Sequence, residues 1–293
     1  MTALVVGLLL ATTLAPLAAA AELTSRQPAD SKEVLASALA DAQSDDAARQ
    51  NRLLGQLRTR SFLETLDSPA DYVRASKDGL RVEQIVDALA SNPAPGAQRA
   101  LLALTTEPVF LAHDERTLAL IRASALVADP RPALVGFWDK HSRPDDGFTP
   151  TTIGTLVANG SRPALALFEK KMLDDAHADD DKTGWMRVDI LAHRNDLPVL
   201  QSCGRLLRGS ELRARLRPLL VEVLFDYRPG EWFRPATVRP APPLESASPP
   251  ARRELRAIAE HALKNVPLTP EQRAAVMRRL QEISKLDMGQ GVR

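Results

Sequence analysis

An all-α fold is predicted for this chain by its composition and by a segment that occurs twice. Hydrophobic residues make up 44% of the 293 residues and aromatic residues only 4%. The abundant Ala, Leu, Arg and Glu favour helices, whereas strands prefer β-branched and aromatic residues. The segment LVADPRPALVGFWDK, which begins at Leu126, returns as LVANGSRPALALFEKK from Leu156. Because one such unit cannot bury its apolar faces alone, the repetition indicates helical units that stack on one another.

A third copy, ILAHRNDLPVLQSCGRLL, completes an alignment on three prolines spaced by 31 and 35 residues. A leucine stands two positions after each proline, and Phe, Phe and Cys stand five positions after. These two columns are three residues apart, so they share one helical face and predict core positions. The aligned residues are Pro132, Pro163 and Pro198; Leu134, Leu165 and Leu200; and Phe137, Phe168 and Cys203.

The break before each proline is predicted to be a turn between two helices. Each proline then falls in the first turn of a helix, where its missing N–H is not needed. The Asn159-Gly160 pair is expected to end one helix in a left-handed conformation. The predicted N-caps are Asp129 in the first copy, Ser161 in the second, and Asn195 or Asp196 in the third.

The helix, the Asp-Pro or Asn-Gly turn, the RPAL start of a second helix and the acidic linker resemble HEAT-like helical repeats over about residues 115–208. The resemblance implies an α-solenoid of stacked antiparallel helical hairpins. Most members of that family are binding scaffolds, and a few act on cofactors or tetrapyrroles. It assigns no catalytic residue here. A period of about 34 residues keeps a tetratricopeptide array open, although its Trp, Gly and Tyr spacing is missing.

Helical patterns extend the predicted repeat region over residues 22–227. Ser31 is the predicted N-cap of a helix with Val34, Leu35 and Leu39 on one face. A helix, a turn and a helix are expected around Asn92-Pro93, and another helix from Ser210 to Tyr227.

The C-terminal part divides into an arm, a helical pair and a tail. Prolines crowd residues 228–250 and exclude helix interior, so this arm is expected to pack on the body through Trp232 and Phe233. A helical pair is predicted over 251–286, with Pro270 at a first helical position and a capping box between Thr269 and Gln272. Residues 287–293 are predicted to be a disordered tail.

Residues 1–21 are predicted to be a secretory signal sequence. An apolar run from Ala3 is broken at Pro16 and ends in Ala18 to Ala21, as a cleavage site requires, although no Lys or Arg precedes it. Cleavage would place the protein in the periplasm or outside the cell. The alternative is an uncleaved membrane anchor, since the run is almost long enough to span a bilayer.

No motif assigns a catalytic residue, a metal ligand or a cofactor. The formal charge of +1 argues against a nucleic-acid binder. Cys203, the only cysteine, stands in a core column and is expected to be a packed side chain rather than a nucleophile. The acidic run from Asp174 to Asp181 could bind a hard cation, but it lacks the ligand alternation of an EF-hand and is expected to be a solvated loop.

Basic residues follow the second helices of the repeat and suggest a binding surface. If those helices line one face, the residues form a basic stripe suited to a protein or an acidic polymer of the cell envelope. An ordinary solvated helix face is the simpler explanation of the same residues. The expected function is therefore an exported, non-catalytic scaffold, and the alternative is a periplasmic or secreted hydrolase whose site is built from scattered residues. The candidate partner-binding residues are Lys140, Lys170, Lys171, Arg205 and Arg208.

Overall fold

The computed structural model describes residues 44–58, 79–92, 95–106, 108–174, 192–225 and 242–289, together with Asp41 and Ile190. All regular structure in these ranges is helical and no strand occurs there, which confirms the all-α prediction. Among these helices, none combines the length and the hydropathy that a bilayer crossing requires. The predicted signal sequence, the helix expected from Ser31, and Trp232 and Phe233 of the arm lie outside the described residues.

The helices are numbered here in chain order. They are α1 (Ala47–Leu57), α2 (Gly79–Ala90), α3 (Pro95–Leu104), α4 (Pro108–Leu111), α5 (Asp114–Ala123), α6 (Pro132–His141), α7 (Thr149–Asn159), α8 (Arg162–Leu173), α9 (Leu197–Arg208), α10 (Leu216–Phe225), α11 (Pro249–Asn265) and α12 (Pro270–Gly289). Short 3₁₀ turns occupy Ser124–Leu126 and Leu244–Ser246.

Helix packing follows two series. In the first, α2 contacts α5 and α5 contacts α7; in the second, α6 contacts α8, α8 contacts α9 and α9 contacts α11. Helices adjacent in sequence also pack together, as α7 does with α8 and α11 with α12. One connected apolar core runs through the described helices, from Leu53 in α1 to Ile283 in α12.

The columns of the repeat are core positions, as predicted. All six of their side chains are at most 5% exposed, and Cys203, which takes the column position of the two phenylalanines, is fully buried. The three prolines lie at the first or second residue of α6, α8 and α9. The apolar residues and prolines that recur in the sequence are therefore explained by packing and by helix starts.

The predicted helix ends are confirmed at three places. Gly160 has φ 66° and ends α7 in the left-handed conformation. The Ser161 hydroxyl accepts a hydrogen bond from the backbone N–H of Ala164 at the start of α8. Thr269 and Gln272 form the reciprocal capping box of α12, and Pro270 is its first residue.

The prediction that Asp129 caps the first copy is wrong. Helix α6 begins at Pro132, and its N-cap residue is Arg131, which makes no capping hydrogen bond through its side chain. Arg131 is extended, as a residue before proline prefers, so the turn is longer than the alignment implied. In the third copy Asp196 occupies the N-cap position, but its carboxylate contacts His193 instead of capping α9.

Several predicted boundaries shift in the C-terminal half. Helix α10 begins at Leu216 rather than Ser210, because Pro218 cannot donate to an earlier turn and its ring would clash with the carbonyl of residue 214. Helix α11 begins at Pro249, so it includes the last two residues assigned to the arm. Helix α12 continues to Gly289, and Asp287 of the predicted tail accepts hydrogen bonds from Arg252 and Arg256 of α11.

Candidate functional site

Ion pairs connect four helices that contact one another in series. We call this set the interhelix ladder; it comprises Asp139, Glu169, Lys170, Lys171, Arg205, Arg208 and Glu254. It crosses α6, α8, α9 and α11 in that order. The ladder therefore lies on the same series of helices as the predicted basic stripe.

The first step joins α6 to α8. The Lys171 ammonium lies 2.9 Å from Asp139 Oδ1, and Lys170 lies 3.5 Å from the same oxygen. The Lys171 side chain is only 7% exposed, whereas that of Lys170 is 68% exposed. The hydrogen bond from Lys171 lowers the pKa of Asp139 below its usual value. Lys171 is therefore a buried cation with a fixed partner, and Lys170 is the surface cation of this step.

The second step joins α8 to α9. Arg205 donates from Nη2 to Glu169 Oε1 at 2.6 Å and from Nε to the same oxygen at 3.1 Å. The hydroxyl of Ser202, which is fully buried, also donates to Oε1 at 2.6 Å. Hydrogen bonding to Glu169 raises the pKa of Arg205. One carboxylate thus fixes two side chains of the neighbouring helix.

The third step joins α9 to α11. Arg208 Nη2 donates to Glu254 Oε1 at 2.8 Å, and the pair passes directly over Gly204. A Cβ at Gly204 would stand 2.5 Å from Glu254 Oε1, so only glycine lets the pair lie this close to the helix. His261 of α11 also contacts the carbonyl oxygen of Leu207 through Nε2 at 3.2 Å.

The predicted partner-binding residues thus lie together on the described helices, most of them in contact with carboxylates. Lys171, Arg205 and Arg208 lie within 2.9 Å of a carboxylate oxygen. Lys170 lies 3.5 Å from one and is largely exposed, and Lys140 is exposed. The surface consequently alternates in charge instead of being uniformly basic. Its binding role stays a prediction, and it rests on the two exposed lysines.

A cleft of about 470 Å³ opens at the edge where helices turn. The end of α7, the turn before α9 and the start of α11 line it, with Asn159, Gly160, Asn195, Asp196 and Ser246 among its residues.

Both asparagines of the cleft, Asn159 and Asn195, hold 3₁₀ turns in place. Asn159 Nδ2 donates to the carbonyl oxygens of residues 125 and 127, and Asn195 Nδ2 donates to that of residue 243 and to Ser246 Oγ. The cleft walls are therefore fixed by side-chain bonds to backbone.

Two histidines in the described ranges contact carboxylates. His193 Nδ1 lies 2.8 Å from Asp196 Oδ2 beside the cleft. His141 Nδ1 lies 3.0 Å from Asp146 Oδ2, and the ring stands edge-on between Phe137 and Phe148. A histidine oriented by a carboxylate can act as the base of a nucleophilic catalytic site. Such a site also needs a nucleophile within hydrogen-bond reach of the histidine.

The hydroxyls that line the cleft already have backbone partners. Ser246 Oγ donates to the carbonyl oxygen of Pro243, and Ser248 Oγ accepts from the N–H of Ala251 as the cap of α11. The Cys203 thiol is fully buried, and burial raises its pKa to about 12, so at neutral pH it is a thiol and not a thiolate. Cys203 is a packed core residue, as the sequence predicted.

Acidic and histidine side chains do not gather into a metal-binding group in the part of the chain that the structure describes. Apart from Asp174, the acidic run predicted as a loop lies outside those residues. Comparison of the chain with known protein families, with curated proteins and with solved structures gave no match in any of the three.

Proposed function

We propose that this protein is a non-catalytic α-solenoid scaffold that is exported from the cytoplasm. Its helices α6, α8, α9 and α11, called here the row of second helices, bind a protein or an acidic polymer of the cell envelope. The observation that carries the proposal is the unbroken contact of α6 with α8, α8 with α9 and α9 with α11. A series in which each helix contacts the next, with further contacts to its neighbours in sequence, is the pattern of a repeat stack. Ion pairs between residues that are 31 to 46 positions apart in the sequence join these helices.

The surface of that row suits recognition better than catalysis. Its ladder fixes the positions of the helices, and the exposed cations Lys140 and Lys170 project from a firmly held face. Rigid faces of stacked helices recognise extended partners because ordering costs little free energy on binding. An acidic peptide or polymer matches the sign of the two lysines.

A hydrolase with a site of scattered residues is the second candidate, and the pair of His193 and Asp196 beside the cleft is the observation that favours it. The arrangement lacks an activated nucleophile among the described side chains near it, because Ser246 and Ser248 are bonded to backbone. The scaffold is therefore the better supported proposal.

The test is photo-crosslinking of the full chain in its native cells, with a photoreactive amino acid at position 140, 170 or 158. Position 158, normally an exposed alanine at the end of α7, is the control outside the row of second helices. We expect one partner to be crosslinked from 140 and 170 and not from 158. Equal adducts from all three positions, or none from 140 and 170, contradict the proposal.

A matched pair of variants tests the role of charge. In the Lys140→Gln, Lys170→Gln variant we expect crosslinking from a neighbouring ladder position to fall at least about tenfold, which corresponds to about 1.4 kcal/mol of binding free energy. The control is Lys264→Gln, Lys285→Gln, which removes two exposed lysines from α11 and α12. Equal losses in both variants would show that net charge, and not this face, attracts the partner. Mass spectrometry of the mature N-terminus tests cleavage of the signal sequence, and an intact Met1 or Thr2 contradicts cleavage and secretion.

A further inference from the structure

Two arginines outside the ladder carry buried nitrogen atoms that have no hydrogen-bond partner among the described residues. These are Nε of Arg194, and Nε and Nη2 of Arg279. The Arg279 side chain is only 13% exposed, and its remaining nitrogen, Nη1, donates to Glu282 Oε2 at 3.0 Å. Guanidinium nitrogens are strong donors, so three of them buried without acceptors are unusual in a well-packed protein.

The fold brings the two arginines to one place. Arg194 lies in the turn before α9, where its neighbour Asn195 is bonded to Pro243 and Ser246 of the second 3₁₀ turn. That 3₁₀ turn packs against α12, which carries Arg279. Burial and the positive charge of Arg279 together lower the pKa of Arg194 to about 10. Glu282 partly offsets this repulsion, so Arg194, Arg279 and Glu282 together carry a net positive charge.

The unpartnered atoms of Arg279 form one particular edge of the guanidinium. Its Nε–H and an Nη2–H point in the same direction, and this two-donor edge matches the two oxygens of a carboxylate or phosphate. The same edge is used elsewhere in this chain. Arg52 donates from Nε to Asp41 Oδ2 at 3.0 Å and from Nη2 to Asp41 Oδ1 at 2.9 Å. At Arg279 the edge is buried and has no oxygen in front of it among the described residues.

We propose that Arg194 and Arg279 form a binding site for a small oxyanion, held by the two-donor edge of Arg279 and by the guanidinium of Arg194. A bound carboxylate or phosphate accepts hydrogen bonds from the three unpartnered nitrogens and neutralises the excess positive charge. Arg194 is partly exposed to solvent. This site is independent of the ladder and of the proposed partner.

Titration of the full chain with phosphate and, separately, with acetate tests the site, with ionic strength held constant by sodium chloride. The readout is the pair of arginine Nε–H resonances in a nitrogen-15 NMR spectrum, since these atoms are the proposed donors. We expect saturable shifts of the Arg194 and Arg279 signals with at least one anion. Shifts with phosphate alone identify a tetrahedral ligand, and shifts with acetate alone identify a carboxylate. If neither anion shifts them, the proposal is overturned.

Variants give a second measurement. Arg279→Lys keeps the charge but loses the two-donor edge, and Arg194→Gln removes the other cation. We expect each to weaken the apparent affinity for the effective anion at least about tenfold. The control is Arg253→Lys, the same chemical change at an exposed position of α11, which should leave the affinity unchanged. If Arg279→Lys and Arg194→Gln bind the anion as tightly as the wild type does, and both show native far-ultraviolet circular dichroism, the assignment of the oxyanion site is refuted.

Discussion

Removing the carboxylate of Asp139 should destabilise the protein because it leaves the Lys171 ammonium buried and unpaired. Exposed ion pairs contribute about 0–1 kcal/mol, whereas breaking a fully buried one costs about 3–5 kcal/mol. The 2.9 Å pair lies between these cases, since Lys171 is 7% and Asp139 40% exposed. We therefore expect Asp139→Asn to lower the free energy of unfolding by about 2 kcal/mol.

Replacing Lys171 instead of Asp139 should lower the free energy of unfolding by less. Lys171→Met keeps the apolar stem in place, and the half-exposed Asp139 retains water and Lys170 at 3.5 Å. We expect a loss below about 1 kcal/mol, and the double variant should be no less stable than Asp139→Asn alone. Urea unfolding followed by far-ultraviolet circular dichroism measures the three values and their coupling. Lys170→Met, at a 68% exposed side chain, is the control and should change stability by less than about 0.5 kcal/mol.

The pH dependence has a definite sign. Lys171 lowers the pKa of Asp139 in the folded protein, so the unfolded chain binds the proton more readily. The stabilisation is complete above the unfolded pKa of about 3.9 and is lost as the pH falls through the folded value. The difference between wild type and Lys171→Met should therefore be constant near neutrality and shrink in acid. Additive effects of the two substitutions, with no coupling beyond experimental error, would refute this account of the pair.

Three further predictions concern single positions. The Cys203 thiol, with its pKa raised to about 12 by burial, should resist alkylation in the native protein and react fully in denaturant; rapid native labelling at mildly alkaline pH would contradict its burial. Gly160→Ala should destabilise the protein by about 1–2 kcal/mol because φ at this residue is 66°. Gly136→Ala, inside α6 with open space at the added Cβ, should be neutral or stabilising. Equal effects of the two substitutions in thermal unfolding would reject this explanation. Asn159→Leu should cost about 1–3 kcal/mol, since the carbonyl oxygens of residues 125 and 127 lose their donor; an unchanged unfolding midpoint would show that water replaces the amide.

The core of the repeat could be predicted from the sequence because its cause is local. A proline at a helix start and apolar residues three positions apart are properties of one segment, and they place Leu165 and Phe168 correctly. The cap at Ser161 followed from the same reasoning. The same reasoning failed at Asp129, because an extended Arg131 between two prolines makes the turn longer than the alignment implied.

The ladder could be predicted only in part because its contacts join different segments. Asp139 and Lys170 each stand seven residues after an aligned proline, and their opposite charges are a signal of pairing between neighbours. Glu169 lies one residue outside that column, and Glu254 belongs to a helix that the alignment did not include. Which helices stack, and in which register, is decided by the whole core, so the partners of Arg205 and Arg208 could not be deduced from spacing.

The ladder also has a consequence for how the chain assembles. Helices that pack through apolar faces alone could dock on the wrong neighbour, because apolar contacts are not directional. If α11 skipped α9 and docked on α8, Glu254 would meet Glu169, and two carboxylates would face each other without the arginines of α9 between them. Like charges brought together in this way oppose the misassembled state more than they affect the native one. The alternation of charges along the ladder thus disfavours this wrong contact between helices.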